Sequence, residues 1–356
     1  MVDKRLALAA TGFASDSPLP TWPCTAEPPL DHGVIKQTPA DFRVTELPLL
    51  LPEGEGEHLW VNIRKTGWNT VGVASLLSRA TGARKGDVSY AGQKDRQAVT
   101  EQWFSIHLPG RETPRLPEVL ADGVEVLDQQ RHSRKLRRGA LKGNRFEIVL
   151  RQCRGDHEAV AKTLARLQAQ GFPNYFGEQR FGRDGANITK ARQMLRGKRR
   201  VKDREQRSLL ISSARSLVFN DVLALRVERG NWYRPLLGDL MLLGESNSLF
   251  SVDTVDDALL QRAEKGEIHP SDPLPGTAGK TQTTGEAAEL EQLVLEAHAA
   301  IVKGLSKQRV AASRRALRVM PQQLQSQWLD EETLALSFSL PPGSYATALL
   351  RELVSR

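Results

Sequence analysis

The clearest pattern in the chain is a set of apolar residues at helical spacing between positions 70 and 82. The set follows Asn69 and Thr70, ends before Gly82, and comprises Val71, Val73, Ala74, Leu76, Leu77 and Ala80. Asparagine is a common N-cap residue, and glycine commonly follows the last turn of a helix. The pattern therefore predicts one amphipathic helix of about a dozen residues.

Alternating apolar and polar residues predict strands on either side of a short loop. Val88–Ala91 and Ala98–His107 are predicted as two strands, so Gly92–Gln97 forms the loop that joins them. A further strand is predicted over Asn144–Arg151. The first half of the chain is therefore expected to be rich in strands.

The middle of the chain is predicted to be mainly helical, with long loops rich in glycine. A helix is predicted from Asp156 to Gly171, and a loop rich in glycine, aromatic residues and arginine follows it. Helical segments then continue to about Gly230, and a helix over Ala287–Gly304 comes after a stretch rich in glycine, proline and threonine. We interpret this region as a separate unit.

Strand character returns near the end of the chain. Leu334–Leu340 alternates as a strand that we expect to join the first sheet, and Ser344 is predicted to cap a helix over Tyr345–Val354. Since strand-rich parts flank a helical middle, the pattern favours an insertion: residues 1–169 and 319–356 form one domain, and residues 170–318 an inserted α/β domain. The expected fold class is α/β (α+β) with a mixed, largely antiparallel sheet.

Positive charge is concentrated in two segments. The 356-residue chain has a net charge of +8. The segment Arg131–Arg154 has nine basic residues and one acidic residue, and Arg180–Arg207 has eleven basic and three acidic residues. The remainder is therefore mildly acidic. Basic runs with aromatic residues between them indicate a nucleic-acid partner, although each run alone is also typical of a solvated surface.

Other classes of function are poorly supported by the sequence. The seven histidines include no pair at metal-ligand spacing, and no serine lies in a nucleophile-elbow motif. Cys24 and Cys153 are too few and too far apart for a disulfide scaffold, which fits a reduced cytoplasm. No stretch approaches about 18 consecutive apolar residues, so no membrane span is expected.

The residue pattern that could carry chemistry is Gly92-Gln-Lys-Asp-Arg96, in the loop between two strands. Asp95 is flanked there by Lys94 and Arg96. A carboxylate held ionised by nearby cations can act as a nucleophile or a base. An aspartate that bonds to the backbone of its own turn is the alternative interpretation.

Five motifs, taken in order, resemble one known family. They are Val88–Ser105 (VSYAGQKDRQAVTEQWFS), Leu141–Phe146 (LKGNRF), Pro173–Gly185 (PNYFGEQRFGRDG), Ser213–Ser216 (SARS) and Leu340–Val354 (LPPGSYATALLRELV). Through these motifs the chain resembles the tRNA pseudouridine synthase D family over nearly its whole length. The resemblance implies a pseudouridine synthase catalytic domain with a large insertion that is specific to the family.

The resemblance also implies an activity and a set of site residues. Members of the family convert a uridine at position 13, in the D-arm of certain tRNAs, to pseudouridine without a cofactor or a metal. Asp95 matches the catalytic aspartate, and Lys36 matches a lysine upstream of the PxDF motif. We expect Lys36 to be its charge partner, because Lys94 would point away in an extended backbone. The residues that match nucleotide-binding positions are Phe42, Asn144, Phe146 and Tyr345.

Tyr345 departs from the family in part, because phenylalanine also occurs at this position. Stacking on a base is expected to survive, whereas the hydroxyl group has no assigned role. Phe146 and Tyr345 are the candidates to stack on the extruded base, and a purely structural core position is the alternative for each. The residues expected to bind the RNA backbone are Arg134, Lys135, Arg137, Arg138, Lys198, Arg199 and Arg200.

Some alternatives stay open at this point. The aspartate could attack C1′ or remove a proton from C2′. A non-catalytic RNA-binding protein and a polynucleotide glycosidase or nuclease are the competing classes of function. The expected partner is tRNA, and we expect a cytoplasmic monomer with no membrane attachment and no obligate protein partner.

Overall fold

The structure is a computed structural model that describes residues 19–244, 246, 248–277, 279 and 282–355. In chain order, its strands are β1 (Leu30–Ile35), β2 (Phe42–Pro48), β3 (His58–Thr66), β4 (Val88–Tyr90), β5 (Val99–His107), β6 (Val119–Ala121), β7 (Val124–His132), β8 (Leu141–Gly155), β9 (Phe172–Pro173), β10 (Leu240–Leu243), β11 (Leu249–Ser251), β12 (Ile268–Leu274), β13 (Ser313–Ala316), β14 (Arg318–Val319), β15 (Gln322–Asp330) and β16 (Thr333–Leu340).

The α-helices lie between these strands, which confirms the mixed α/β fold class predicted from the sequence. In chain order they are α1 (Thr70–Thr81), α2 (His157–Gln170), α3 (Ala186–Leu195), α4 (Arg204–Glu228), α5 (Asp257–Glu264), α6 (Gly285–Ala297), α7 (Ala299–Lys307) and α8 (Ala346–Leu350).

The chain folds into two compact units. The sheet unit comprises Leu30–Val160, Pro321–Gly343 and the residues from Val354 onwards, and the helical unit comprises Ala161–Met320, Ser344–Leu353 and the described residues up to Pro29. These bounds differ from the expected domains, since the helical unit includes residues on both sides of 170–318. As a division into a catalytic domain and an insertion, the sequence-based bounds stay a prediction.

The sheet unit is built on one mixed sheet. Its strands follow the order β15-β16-β8-β2-β5-β3-β7-β6, with β1 paired to β8 and β4 paired to β5. Strands β2 and β5 run parallel, and the other neighbours in this order run antiparallel. The C-terminal strand β16 pairs with β8. This pairing confirms that Leu334–Leu340 returns to the first sheet.

Helix α1 has the caps that the sequence predicts. The Asn69 side chain accepts a hydrogen bond from the backbone N–H of Gly72, and Gly82 ends the helix with a φ of 63°. Such a left-handed backbone favours glycine. Val73 and Leu77 pack with the buried side chains of β3 and β5. The helix therefore packs against the sheet, and its first residue, Thr70, lies within hydrogen-bond distance of the loop Gly92–Gln97.

Helix α4 is the core helix of the helical unit. This helix of 25 residues is long and apolar enough to meet the length and composition criteria for a membrane span. However, 72% of its most apolar 18-residue stretch is buried within the protein. The Asp203 side chain caps its first turn. Burial inside a protein core accounts for the apolar composition of this helix equally well.

Two predicted helices differ from the structure. The helix expected over Ala287–Gly304 is interrupted at His298, whose buried side chain lies 2.7 Å from Asp221. The helix expected over Tyr345–Val354 spans only Ala346–Leu350, and Ser344 does not cap it. Val354 instead forms a β-bridge with Leu30. In both cases a long-range contact overrides the local helical pattern.

Candidate active site

The loop Gly92–Gln97 is held by polar side chains from the elements beside it. The Gln102 side chain donates to the Gly92 carbonyl at 3.1 Å, and the Thr70 hydroxyl donates to Gln102 at 2.9 Å. The same hydroxyl accepts the backbone N–H of Lys94 at 2.9 Å. Strand β5 and the start of helix α1 therefore fix the loop through one hydrogen-bonded chain.

The backbone at Asp95 is fixed from the other side by Lys65. This lysine lies on β3, is 0% exposed, and donates from Nζ to the carbonyl oxygens of Asp95 and Trp68, each at 2.8 Å. Next to it, the Arg96 guanidinium donates to the Gly67 carbonyl at 2.9 Å. The position of Asp95 is thus determined before any substrate binds.

The carboxylate of Asp95 forms an ion pair with Lys36 through Oδ2. Its Oδ1 atom accepts the backbone N–H of Gln97 at 3.2 Å, and the side chain is 29% exposed. Partial burial alone would raise the pKa of Asp95, but the hydrogen bond and charge of Lys36, with backbone N–H groups of Gln97 and Arg96, outweigh burial and lower it. Asp95 is therefore an ionised, partly accessible carboxylate.

Lys36, the residue directly after β1, contacts Asp95 through its side chain. Its backbone φ is 60°, a left-handed conformation that few residues other than glycine adopt. Its Nζ atom also lies 4.2 Å from the centroid of the Phe42 ring. The ammonium group is thus placed between a carboxylate and an aromatic face, and both attract it.

The neighbouring lysine, Lys94, has a different partner. Its Nζ atom lies 2.7 Å from Oε2 of Glu46, and both side chains are buried. Glu46 also accepts the backbone N–H of Trp103 at 3.3 Å. The structure therefore pairs Lys36, and not Lys94, with Asp95. The catalytic roles of Lys36 and Asp95 stay predictions.

The register of the sheet places several site residues on one face, because residues that lie opposite each other point to the same side. One row across five strands consists of Lys65, Thr100, Val44, Phe146 and Phe338. The next row includes Glu46 and Asn144, which lie opposite each other on β2 and β8. Lysine, glutamate and asparagine therefore line the same face as the aromatic residues.

Phe42 and Phe146 belong to an aromatic cluster on this face. Phe146 stacks on Phe338 with ring centroids 5.5 Å apart and meets Phe42 edge to face at 6.1 Å. Phe146 is 7% exposed, and Phe338 is 1% exposed. The cluster contributes to the core, and the stacking of a base on Phe146 stays a prediction.

Asn144 carries a buried oxygen without a partner. Its Oδ1 atom has no hydrogen-bond partner among the described residues. Buried polar atoms in folded proteins nearly always have a partner. The amide therefore has an unused hydrogen-bonding group, which suits the predicted contact with a nucleobase.

Tyr345 lies in the helical unit, directly before helix α8. Its hydroxyl oxygen accepts two hydrogen bonds from Arg180, at 3.2 Å from Nε and 2.7 Å from Nη2. Its ring packs edge to face on Phe176, with centroids 5.9 Å apart. The hydroxyl group that had no assigned role thus orients an arginine.

The residues expected to bind the RNA backbone have exposed side chains. Arg134, Lys135, Arg137 and Arg138 lie in the loop after β7, and Lys198, Arg199 and Arg200 lie between α3 and α4. The first loop is anchored by Leu136, which packs against Trp60 and Trp103. The Gly139 N–H donates to the Ala91 carbonyl at 2.8 Å, so this loop is bonded to the residue before Gly92.

Sequence reasoning missed Lys65, Glu46 and Arg180. A signal for Lys65 was present, since the inward positions of β3 are Leu59, Val61, Ile63 and then a lysine. A charged residue at an inward position of a strand usually has a specific partner. Glu46 and Arg180 carry no comparable local signal.

A groove elsewhere on the sheet does not involve the predicted site residues, and the described residues contain no candidate metal site. A groove of about 710 Å³ lies on the opposite face of the sheet, lined by residues such as Arg43 and Glu147, and none of the predicted site residues lines it. No group of three or more His, Cys, Asp or Glu side chains in the described part of the chain could hold a metal ion.

Comparisons with known proteins agree on one family. The family described as tRNA pseudouridine synthase D matches residues 24–200 and 187–353. A tRNA pseudouridine synthase D from Hydrogenovibrio crunogenus is 43% identical over 325 residues, which is 91% of this chain and 93% of that protein. One from Aeromonas salmonicida is 44% identical over 326 residues, with 92% of each chain covered.

A solved structure agrees at the level of the fold. The crystal structure of a candidate tRNA pseudouridine synthase D from Methanosarcina mazei has a TM-score of 0.69 to this chain at 21% identity, and covers 95% of this chain and 98% of that one. The match to the family, together with the mixed fold, defines the class of protein as a pseudouridine synthase, an RNA-modifying isomerase. The chain belongs to the tRNA pseudouridine synthase D family.

Proposed function

We propose that this enzyme converts uridine 13 in the D-arm of tRNA to pseudouridine, with Asp95 as the catalytic residue and without a cofactor. The observation that carries the proposal is the ion pair between the Asp95 carboxylate and Lys36. The loop that bears this carboxylate is fixed by hydrogen bonds to the backbone of Gly92, Lys94 and Asp95. Position 13 rests on the resemblance of the sequence motifs to the family.

The reaction needs few groups because it conserves all atoms. The N1–C1′ bond breaks, the uracil turns, and a C5–C1′ bond forms; C5 loses a proton and N1 gains one. One carboxylate can attack C1′ or remove a proton from C2′ to release the base, and can later assist removal of the C5 proton. Either route requires an ionised carboxylate, and the hydrogen bond and charge of Lys36 lower the pKa of Asp95 against the effect of burial.

We assign the uracil to the face of the sheet that carries Asn144 and the aromatic cluster. The unused Oδ1 of Asn144 supports this assignment, because it can accept the N3–H of a uracil. An extruded base stacked on an aromatic ring gains about 1–3 kcal/mol. We propose Phe146 as the ring of this face that receives it, with Phe42 beside Lys36. Tyr345 stays a candidate from the resemblance of its motif alone.

We propose that the two exposed basic clusters bind the tRNA backbone. Arg134, Lys135, Arg137 and Arg138 lie in a loop bonded to Ala91, so phosphates bound there would lie close to the catalytic loop. Lys198, Arg199 and Arg200 supply a second cluster, on the helical unit. Neither cluster needs to take part in the chemical step.

An assay with unmodified tRNA transcripts tests the proposal. The purified protein is incubated with a transcript that has uridine at position 13, without added metal or cofactor, and pseudouridine is mapped by carbodiimide treatment and primer extension. A matched transcript with cytidine at position 13 is the control. We expect one stop in the first transcript only, one nucleotide 3′ of position 13; modification at another position would contradict the assignment.

The same assay separates the competing classes of function. A polynucleotide glycosidase would release free uracil and leave an abasic site, and a nuclease would shorten the transcript. A non-catalytic RNA-binding protein would retain the transcript on a filter without changing it. Intact RNA that contains pseudouridine is the result expected for the isomerase.

A further inference from the structure

Lys65 is a buried lysine whose partners are backbone atoms. Its side chain is 0% exposed, and Nζ donates to the carbonyl oxygens of Asp95 and Trp68, both at 2.8 Å. No carboxylate of the described residues lies within ion-pair distance of it. Transfer of a charged amine out of water is costly unless it is compensated. An ammonium group buried in this way therefore indicates a specific role.

The surroundings of Lys65 explain how its charge could reach the active site. On β3 its neighbours across the sheet are Thr100 of β5 and Val124 of β7, which carry no charge. The charged groups that face it come from the catalytic loop, namely Asp95 and Lys94. Lys94 forms an ion pair with Glu46. Asp95 is the residue of the loop that Lys65 holds directly, through the backbone carbonyl.

We propose that Lys65 is a positioning residue for the reaction: its ammonium group holds the catalytic loop through a charge-assisted hydrogen bond to the Asp95 carbonyl. The inference rests on the proposed function, since it takes Asp95 as the catalytic residue. Lys65 itself is too deeply buried to touch the substrate, so it acts through the loop.

The positioning role implies a pH dependence with a defined sign. Burial is the main cause that lowers the pKa of Lys65; the charge of Asp95 opposes this effect and that of Lys94 adds to it, and the resulting pKa is about 8. Lys65 is therefore charged below about pH 8 and neutral above it. The neutral amine still donates hydrogen bonds to the two carbonyl oxygens, but they are weaker than those of an ammonium group, so the loop is held less firmly. The reaction should slow as the pH rises through this value.

Lys65→Gln is the variant that tests the charge directly, because glutamine keeps N–H donors but is neutral at every pH. Single-turnover rates are measured at saturating enzyme from about pH 6 to about pH 9 for wild type, Lys65→Gln and Lys85→Gln, whose lysine is exposed in the same unit. We expect Lys65→Gln to be slower at pH 6 by about tenfold or more, with no further fall above pH 8. As the pH rises above about 8, the rates of wild type and Lys85→Gln should fall toward the rate of Lys65→Gln.

Further measurements separate positioning from folding and from the proposed function. The tRNA affinity and melting temperature of Lys65→Gln should stay near wild type. A fall in rate with pH that all variants share is caused by titration of the RNA and not of Lys65. A Lys65→Gln rate equal to wild type at pH 6 overturns the proposal. If the variant fails to fold, a wild-type rate that is constant from pH 6 to pH 9 overturns it instead. A wild type inactive at every pH would contradict the proposed function itself.

Discussion

The Nζ atom of Lys94 lies 2.7 Å from Oε2 of Glu46, so the lysine that precedes Asp95 in the sequence is neutralised inside the protein. The positive charge on Asp95 comes from Lys36, 59 positions away in the chain. Adjacent residues on an extended backbone point in opposite directions, so the two lysines serve two different carboxylates. One fixes the loop, and the other sets the charge state of Asp95.

Replacement of Asp95 by asparagine should abolish the reaction while tRNA binding changes little. Asparagine keeps the size of the side chain and can still accept the Gln97 N–H, but it has neither the charge nor the basicity of a carboxylate. We expect the single-turnover rate to fall by about 10²–10⁴-fold or more. Asp122→Asn, at an exposed position of the same unit, is the control. Substantial turnover by Asp95→Asn would remove Asp95 from the catalytic role.

Replacement of Lys36 by methionine should change the pH dependence as well as the rate. Without Lys36, burial raises the pKa of Asp95 against fewer opposing interactions, so the carboxylate becomes protonated at a higher pH. The acid limb of the rate profile is therefore expected to move upward in Lys36→Met, with a smaller loss at neutral pH than in Asp95→Asn. Rates from about pH 4 to about pH 8 show this. An acid limb that does not move would exclude Lys36 as the charge partner.

A pair of leucine variants can tell whether Phe146 contacts the base or only the core. Phe146 and Phe338 stack on each other, so Phe146→Leu and Phe338→Leu remove the same ring contact. Their melting temperatures should fall by similar amounts. If a uracil stacks on Phe146, its variant should lose about tenfold more activity than Phe338→Leu, since such a stack contributes about 1–3 kcal/mol. Equal losses of activity would favour a purely structural role.

Glutamine substitutions in the two basic clusters should flatten the salt dependence of tRNA binding. Each lost phosphate contact is expected to reduce the slope of log affinity against log salt by about 0.7–0.9. One variant changes Arg134, Lys135, Arg137 and Arg138, and the other changes Lys198, Arg199 and Arg200. Lys85→Gln and Lys265→Gln are single-charge controls at exposed positions outside the clusters. Filter retention measures the slopes, and a slope no smaller than in the controls would identify that cluster as a solvated surface.

His269 should make the protein less stable in mild acid. Arg318 donates from Nε to its Nδ1 atom at 3.1 Å, which requires that nitrogen to be unprotonated. Burial, with the charge of Arg318, lowers the pKa of His269 to about 4. Between about pH 4 and the ordinary value near 6.5 the unfolded chain binds more protons, so stability falls as the pH falls. The loss at pH 5 should be about 2 kcal/mol.

Urea unfolding of wild type and His269→Asn at pH 7 and pH 5 measures this contribution. Asparagine can accept the Arg318 hydrogen bond and does not titrate, so the variant should lack the pH-dependent part. Burial raises the pKa of Asp272, so its contribution to stability increases as the pH falls, opposite to that of His269, and it does so in both proteins. The difference between the two proteins therefore isolates His269, and an equal pH response of both would contradict the prediction.

Local sequence patterns were sufficient to predict the helix and the loop that form the candidate active site. Asn69 and Gly82 mark the ends of α1 as expected, and the loop that carries Asp95 lies between two strands at the predicted place. These features depend on residues close together in the chain. The break at His298 could not be predicted in this way, because it depends on a buried contact with Asp221, 77 positions away.

The partners of the catalytic loop were harder to predict for the same reason. Periodicity places Lys65 on an inward face, but it does not show which loop lies above that face. The pairing of Lys36 with Asp95 was expected only from the family resemblance, since no local pattern links the residue after β1 to the loop before β5. Sheet register, which decides such neighbours, depends on the order of strands and not on any one segment.

The left-handed backbone of Lys36 implies a trade-off between stability and function at that position. A non-glycine residue with a φ of 60° is strained by about 1–2 kcal/mol relative to an ordinary conformation. Glycine would relieve this strain but could not supply a cation to Asp95. Lysine supplies the cation, and the ion pair and the contact with the Phe42 ring hold its side chain while the backbone keeps this conformation. Selection for stability alone would therefore favour a residue at position 36 that the proposed reaction cannot use.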